Sequence, residues 1–161
     1  MKILLLASSA LVLMLSGCGN KKNDSNPVKT FTNTDMKDVT DTSQCNGPAR
    51  AGNTINDSWE GVRVNDTFRI VTTITPNSVA GNITVDNLCQ TRGEEAEVLT
   101  TANAVIGTGS IQILEAKSDS KKVGNVTCGV SVAAGVLNYR LVGNCLELTT
   151  GPGKTLLMTH K

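Results

Sequence analysis

From residue 55 onward the chain alternates apolar and polar positions in short segments. Trp59 leads into Val62-Arg63-Val64. Phe68, Ile70, Thr72 and Ile74 share one face of a second segment, and Val79, Gly81, Ile83 and Val85 one face of a third. Ala96, Val98 and Thr100 begin a fourth, and Ile111 and Ile113 mark a fifth. Val126, Cys128, Val130 and Val132 mark a sixth, and Leu137, Tyr139 and Leu141 a seventh. Leu146 and Leu148 mark an eighth, Leu156 and Met158 a ninth. A period of two places alternate side chains on opposite faces of a strand. With turn residues recurring about every 8–12 positions, the pattern predicts an all-β domain. The expected form is a small antiparallel meander barrel of about eight strands, with a β-sandwich as the alternative. Residues 94–103 have a composition that a helix would accept, but Val98, Thr100 and Thr101 favour a strand.

The breaks between segments carry turn chemistry: Asn65-Asp66, Pro76-Asn77, Gly107-Thr108-Gly109, Ala134-Gly135 and Gly143-Asn144. Centring a two-residue hairpin turn on Gly143-Asn144 puts Tyr139 opposite Leu148 and Leu141 opposite Leu146, so the apolar faces coincide. Asp119, Lys121 and Lys122 read as a solvated hairpin turn.

The chain before residue 47 is of another kind. Lys2 precedes an apolar run, residues 3–15, that is too short to span a bilayer comfortably. Leu15-Ser16-Gly17-Cys18 follows at once and resembles the bacterial lipobox. The resemblance implies a signal peptide over residues 1–17 and diacylglyceryl transfer to the Cys18 thiol, with acyl chains such as palmitate anchoring the protein in a membrane. Gly19, in place of an aspartate, implies delivery to the outer membrane where the cell has two. Residues 18–46 are rich in Asn, Asp, Lys, Ser and Thr without sustained period, and are expected to form a flexible tether in which Phe31, Met36 and Val39 are incidental. Residues 47–161 would form the β-domain.

Charge and composition narrow the partners. Lys2 is the only charged side chain in residues 1–17, so the rest of the chain carries 14 of the 15 basic side chains against 14 acidic ones. That balance gives no electrostatic reason to expect nucleic acid. Phe31, Trp59, Phe68 and Tyr139 are the only aromatic residues, which leaves the core to aliphatic side chains. A monomer is expected.

Cysteine usage fits an exported domain. Apart from Cys18 there are Cys45, Cys89, Cys128 and Cys145, an even number that suggests two disulfides. None has the close spacing of a zinc knuckle, so no metal is expected. Of the three possible connectivities, strand parity favours Cys89–Cys128. Cys89 continues the inward series of Ile83 and Val85, and Cys128 lies between Val126 and Val130. Cys145 has the opposite parity to Leu146 and Leu148, which leaves it to pair with Cys45 at the end of the tether.

The segment Leu137-Asn138-Tyr139-Arg140-Leu141-Val142-Gly143-Asn144-Cys145-Leu146-Glu147-Leu148 resembles the closing hairpin of lipocalin-like lipoprotein domains, and Trp59 matches the place of the tryptophan on their first strand. The glycine usual two residues before that tryptophan is Asp57 here. The resemblance implies a barrel that holds a small apolar ligand or lipid.

Catalytic chemistry finds little purchase. His160, the only histidine, lies beside the end of the sequence and is expected to be solvated. Glu94, Glu95 and Glu97 read as an acidic strand edge, and Gly151-Pro152-Gly153-Lys154-Thr155 lacks phosphate-loop spacing and reads as a turn. Five Asn-x-Ser/Thr sequons, at Asn23, Asn56, Asn65, Asn82 and Asn125, reflect an Asn- and Thr-rich composition. The expectation is a noncatalytic, cofactor-free envelope lipoprotein that binds a small apolar ligand or lipid, or else an envelope protein through its surface and strand edges.

Overall fold

The computed structural model describes residues 36–48 and 52–161. The expected signal peptide, Cys18 and Phe31 lie outside these residues. The described chain forms eleven strands and one short 3-10 turn. These are β1 (Lys37–Asp38), the 3-10 turn (Thr42–Asn46), β2 (Trp59–Val64), β3 (Arg69–Asn77), β4 (Asn82–Gln90), β5 (Glu95–Gly107) and β6 (Ser110–Ile113). The remaining strands are β7 (Lys117–Val123), β8 (Val126–Val132), β9 (Gly135–Val142), β10 (Cys145–Gly151) and β11 (Lys154–His160).

Eight strands close a barrel in the order β2, β3, β4, β5, β6, β9, β10, β11, with β11 returning to β2, and every pair is antiparallel. This is the expected meander, closed as a barrel and not split into a sandwich. The inward series runs round the ring in register: Trp59 faces Ile74, Ile74 faces Val85, and Val85 faces Thr100. Ile111 faces Leu137, Tyr139 faces Leu148, and Leu146 faces Met158. Eight strands enclose a space that side chains alone can fill. Trp59, Ala102, Ile111, Leu146, Leu148 and Met158 retain no solvent-accessible surface.

We call the end holding Val64, Arg69, Gln90 and Glu95 the upper end, and the end holding Trp59, Asn77 and Gly107 the lower end. The β7–β8 hairpin is inserted between β6 and β9 and lies against β5 and β4 at the upper end. Its inner face, Cys128, Val130 and Val132, joins the core. Cys89 of β4 is bonded to Cys128, and the Asn87 side-chain amide donates to the Gly129 carbonyl at 2.7 Å. The hairpin therefore caps the barrel.

Closure of the ring is thin. β11 meets β2 at only two positions, Thr159↔Glu60 and His160↔Trp59, both at the lower end. Above them β2 is paired with β1, Lys37↔Val64 and Asp38↔Arg63, extended by a bond from Val39 N to Val62 O at 2.8 Å. Residues 36–46, placed in the tether on composition, are thus part of the fold. Met36 packs against the core, and Cys45 in the 3-10 turn is bonded to Cys145. A polar sequence adds a strand here because β2 offers backbone hydrogen bonds, which require no apolar side chains.

Three local expectations are corrected. Val79 is not on a strand face; it is 98% exposed in the β3–β4 turn. The Asn77 side chain draws that turn in by accepting from Val79 N and Ala80 N, and Gly81 takes a positive φ of 66°. Pro76 is not a turn residue either. It lies in β3, beyond the last β2 partner of that strand, Ile74, where a missing N–H interrupts no ladder with β2. Asp119, Lys121 and Lys122 belong to β7, and the turn falls at Gly124, whose φ is +57°. β7 is polar and exposed from Lys117 to Lys122, and only Val123, at the hairpin tip, enters the core.

Gly143 joins the two halves of this design. Its φ is +58°, and a Cβ there would run into the Cys45 carbonyl oxygen and come within 2.8 Å of the Gly47 carbonyl oxygen. Gly153 has a similar φ of +67° but open space around it. Gly143→Ala should therefore destabilise the protein by at least about 1 kcal/mol more than Gly153→Ala, read as the difference in urea midpoints.

Candidate functional site

The barrel interior is the first place to look for a site. Its lower half is apolar and filled, around Trp59, Ile83, Ile111, Leu146, Leu148 and Met158. The indole N–H of Trp59 donates to the Ile55 carbonyl at 3.3 Å, and the His160 ring meets the indole edge-on at 5.6 Å. His160 is thus not a solvated tail. It sits on β11 as a ladder partner of Trp59, with Nε2 3.7 Å from Asp57 Oδ2. Its surroundings describe a packing residue at the barrel floor, with a carboxylate as its polar neighbour.

The upper half holds polar side chains that are already engaged. Asn87 is buried, accepts from the Thr72 hydroxyl at 2.7 Å and donates to Gly129 O. Each of these bonds fixes the capping hairpin or the wall beneath it. At the mouth, Arg63 lies opposite Asp38 of β1. Burial lowers the Arg63 pKa, and the Asp38 charge opposes that shift.

The acidic cluster does not converge. Glu94 Oε2 accepts from Gly124 N at 2.6 Å, which ties the tip of the hairpin to the β4–β5 loop. Glu95 accepts from the Gln90 side chain. Glu97 instead lies on the outer wall next to Asp86. Among the described residues no group of three or more His, Cys, Asp or Glu side chains is placed to hold a metal ion. Gly151, Pro152, Gly153 and Lys154 form the β10–β11 turn. No helix among these residues is long and apolar enough to cross a membrane.

The outer wall carries what the sequence pattern did not single out. Leu99, Val105, Leu114 and Val136 are each more than half exposed. Val105, Gln112 and Val136 occupy one row across β5, β6 and β9. Leu114 continues β6 by donating its N–H to Asn103 O, and Leu99 lies two outward positions further along β5. The signal was present: Leu99 and Val105 break the polar side of the β5 alternation. Only the β5–β6–β9 neighbourhood groups Val105 with Val136, while Leu99 lies further up the same wall, opposite Asp86 of β4.

Asp86 is the other feature of this wall. Its Oδ1 is buried without a hydrogen-bond partner. Burial, then the charge of Glu97 and a hydrogen bond shared with it, push the Asp86 carboxyl pKa up, while Lys161 opposes the shift. A carboxyl whose folded pKa is raised favours the native state most when protonated, and that contribution fades as pH rises through the folded value. Asp86→Asn should therefore raise the melting temperature at pH 7 by about 2–5 °C. The gain should disappear below about pH 3, where the carboxyl is protonated in both states. Thermal scans at the two pH values check this.

No protein-family profile, curated protein or solved structure matches the chain.

Proposed function

We propose that this protein is a noncatalytic lipoprotein of the bacterial cell envelope, anchored through Cys18, that acts by binding another envelope protein through the outer wall of its barrel. The lipobox resemblance supports the anchor, with the outer membrane as its site where the cell has two membranes. The observation that carries the binding mode is a contrast between inside and outside. The lower interior is packed with fully buried side chains and a disulfide-held hairpin covers the upper end, whereas Leu99, Val105, Leu114 and Val136 stand exposed on one wall. Exposed aliphatic side chains grouped on one face are the kind of surface that a partner buries.

The second reading is a lipocalin-like carrier of a small apolar ligand or lipid. The closed meander favours it, and the packing of Trp59, Leu146, Leu148 and Met158 weighs against it, because a ligand would have to displace these side chains.

Cys18→Ser should move the protein from the membrane to the soluble fraction of fractionated cells; unchanged membrane retention would remove the anchor from the reading. Crosslinking in intact cells should capture a discrete partner, and the pair Leu99→Lys and Val105→Lys should reduce that capture at least tenfold without lowering the melting temperature by more than a few degrees. Equal capture by the variant would exclude this wall. A stoichiometric lipid in native mass spectra of the purified protein would turn the choice to the carrier.

A further inference from the structure

The segment that brings the chain to the barrel is built differently at its two ends. At the upper end β1 holds β2 through Lys37↔Val64 and Asp38↔Arg63, and both β1 residues are exposed. Next come the Val39 N to Val62 O bond and the Thr40 hydroxyl, which accepts from Val62 N at 2.9 Å and donates to Asp38 Oδ1 at 2.7 Å. At the lower end the same segment is covalently fixed: Cys45 is bonded to Cys145. Cys145 opens β10, a strand paired along its length with β9 on one side and β11 on the other. The Asn144 N–H donates to Gln44 O beside the bridge.

Tension that draws the chain before Met36 away from the β2 wall would load these contacts one after another, the packing of Met36 on the core first. Lys37 is the first rung from the pulled end, so β1 opens as a zipper and each rung bears the load alone. The disulfide cannot yield in this way, and it passes load into a strand with neighbours on both sides.

We propose that residues 36–45 are a force-releasable strap: tension on the N-terminal chain peels β1 from β2 and is arrested at Cys45–Cys145, which moves the point of attachment from the capped upper end of the barrel to the lower end. The strap lengthens the tether by at most about 30 Å, from about nine residues at their extended rise. β2 and β11 remain joined at Glu60 and Trp59, so the barrel stays closed while the strap is open. A protein held at a membrane and bound to a partner on its outer wall can then turn and reach without unfolding. The source of tension in the cell rests on the lipid-anchor reading; the peeling itself does not.

The test is single-molecule stretching of the purified full chain, disulfides intact, between handles at its N-terminus and at Asp66 in the exposed β2–β3 turn, so that both handles lie at the upper end and β1 is loaded rung by rung. Opening of the strap should appear as a short, reversible extension of no more than about 30 Å at lower force than any other ordered event. Thr40→Ala should lower that force and leave later events unchanged. In Cys45→Ser/Cys145→Ser the arrest should be lost, so that extension after the strap opens runs on into the barrel. Strap and barrel opening in a single step in the unaltered protein would overturn the proposal, as would a first event indifferent to Thr40→Ala. Because neither outcome depends on Cys18 acylation, a negative result here leaves the anchor reading to its own fractionation test.

Discussion

The fold hangs on the seam between β2 and β11. Every other wall of the barrel is a hairpin or the short-range junction of β6 with β9, so its strands are brought together by nearby chain. The seam joins strands about a hundred residues apart in the sequence, and it does so through the rungs Thr159↔Glu60 and His160↔Trp59. Loop-closure entropy is highest for such a contact, and the residues that close it are correspondingly committed. Trp59 brings the largest apolar surface in the core to the closing rung. His160 covers its edge, and Lys161 N adds a bond to Ser58 O at 2.9 Å. Where β11 no longer reaches β2, the arriving chain supplies β1.

The two disulfides act on the weak points of that arrangement. Cys45–Cys145 fastens the arriving segment beside the β9–β10 turn, and Cys89–Cys128 fastens the inserted hairpin into the upper mouth. Closing loops of this size removes roughly 4 kcal/mol of chain entropy from the unfolded state for each bridge, in the simplest account. For a domain whose described aromatic residues are Trp59, Phe68 and Tyr139, that is a large share of a typical net stability. Cys89, Cys128 and Cys145 are almost wholly buried, so reductants reach these bridges only if the protein opens.

Much of this was legible because strand parity is a local property. Ile83, Val85 and Cys89 had to share a face, and the Gly143-Asn144 turn set Tyr139 opposite Leu148 by geometry alone. What escaped the pattern depends on distant partners. β7 has no alternation to detect, because Lys117 to Lys122 are all exposed and its place is set by the ladder with β8 and by lying along β5. Residues 36–46 look like linker until β2 is present to accept them. Met36 packs on a core assembled from strands that come later in the chain. The outer patch requires the adjacency of β5, β6 and β9, which 21 intervening hairpin-bearing residues (114–134) conceal. The Asp86–Glu97 proximity likewise arises from the β4–β5 register, which pairs Asp86 with Leu99 and sets Glu97 one diagonal away.

Cys45–Cys145 spans a sequence separation of 100 and contains the other bridge within its loop. In covalent terms the domain is a ring with two short tails. A protease that nicks one of the turns inside that ring, such as the β3–β4 turn with its fully presented Val79, produces two polypeptides that remain a single molecule. Both stay tied to the chain that leads back to Cys18. The position of Cys45, just before the barrel begins, therefore gives the domain a tolerance to clipping that a bridge confined to its interior would not provide.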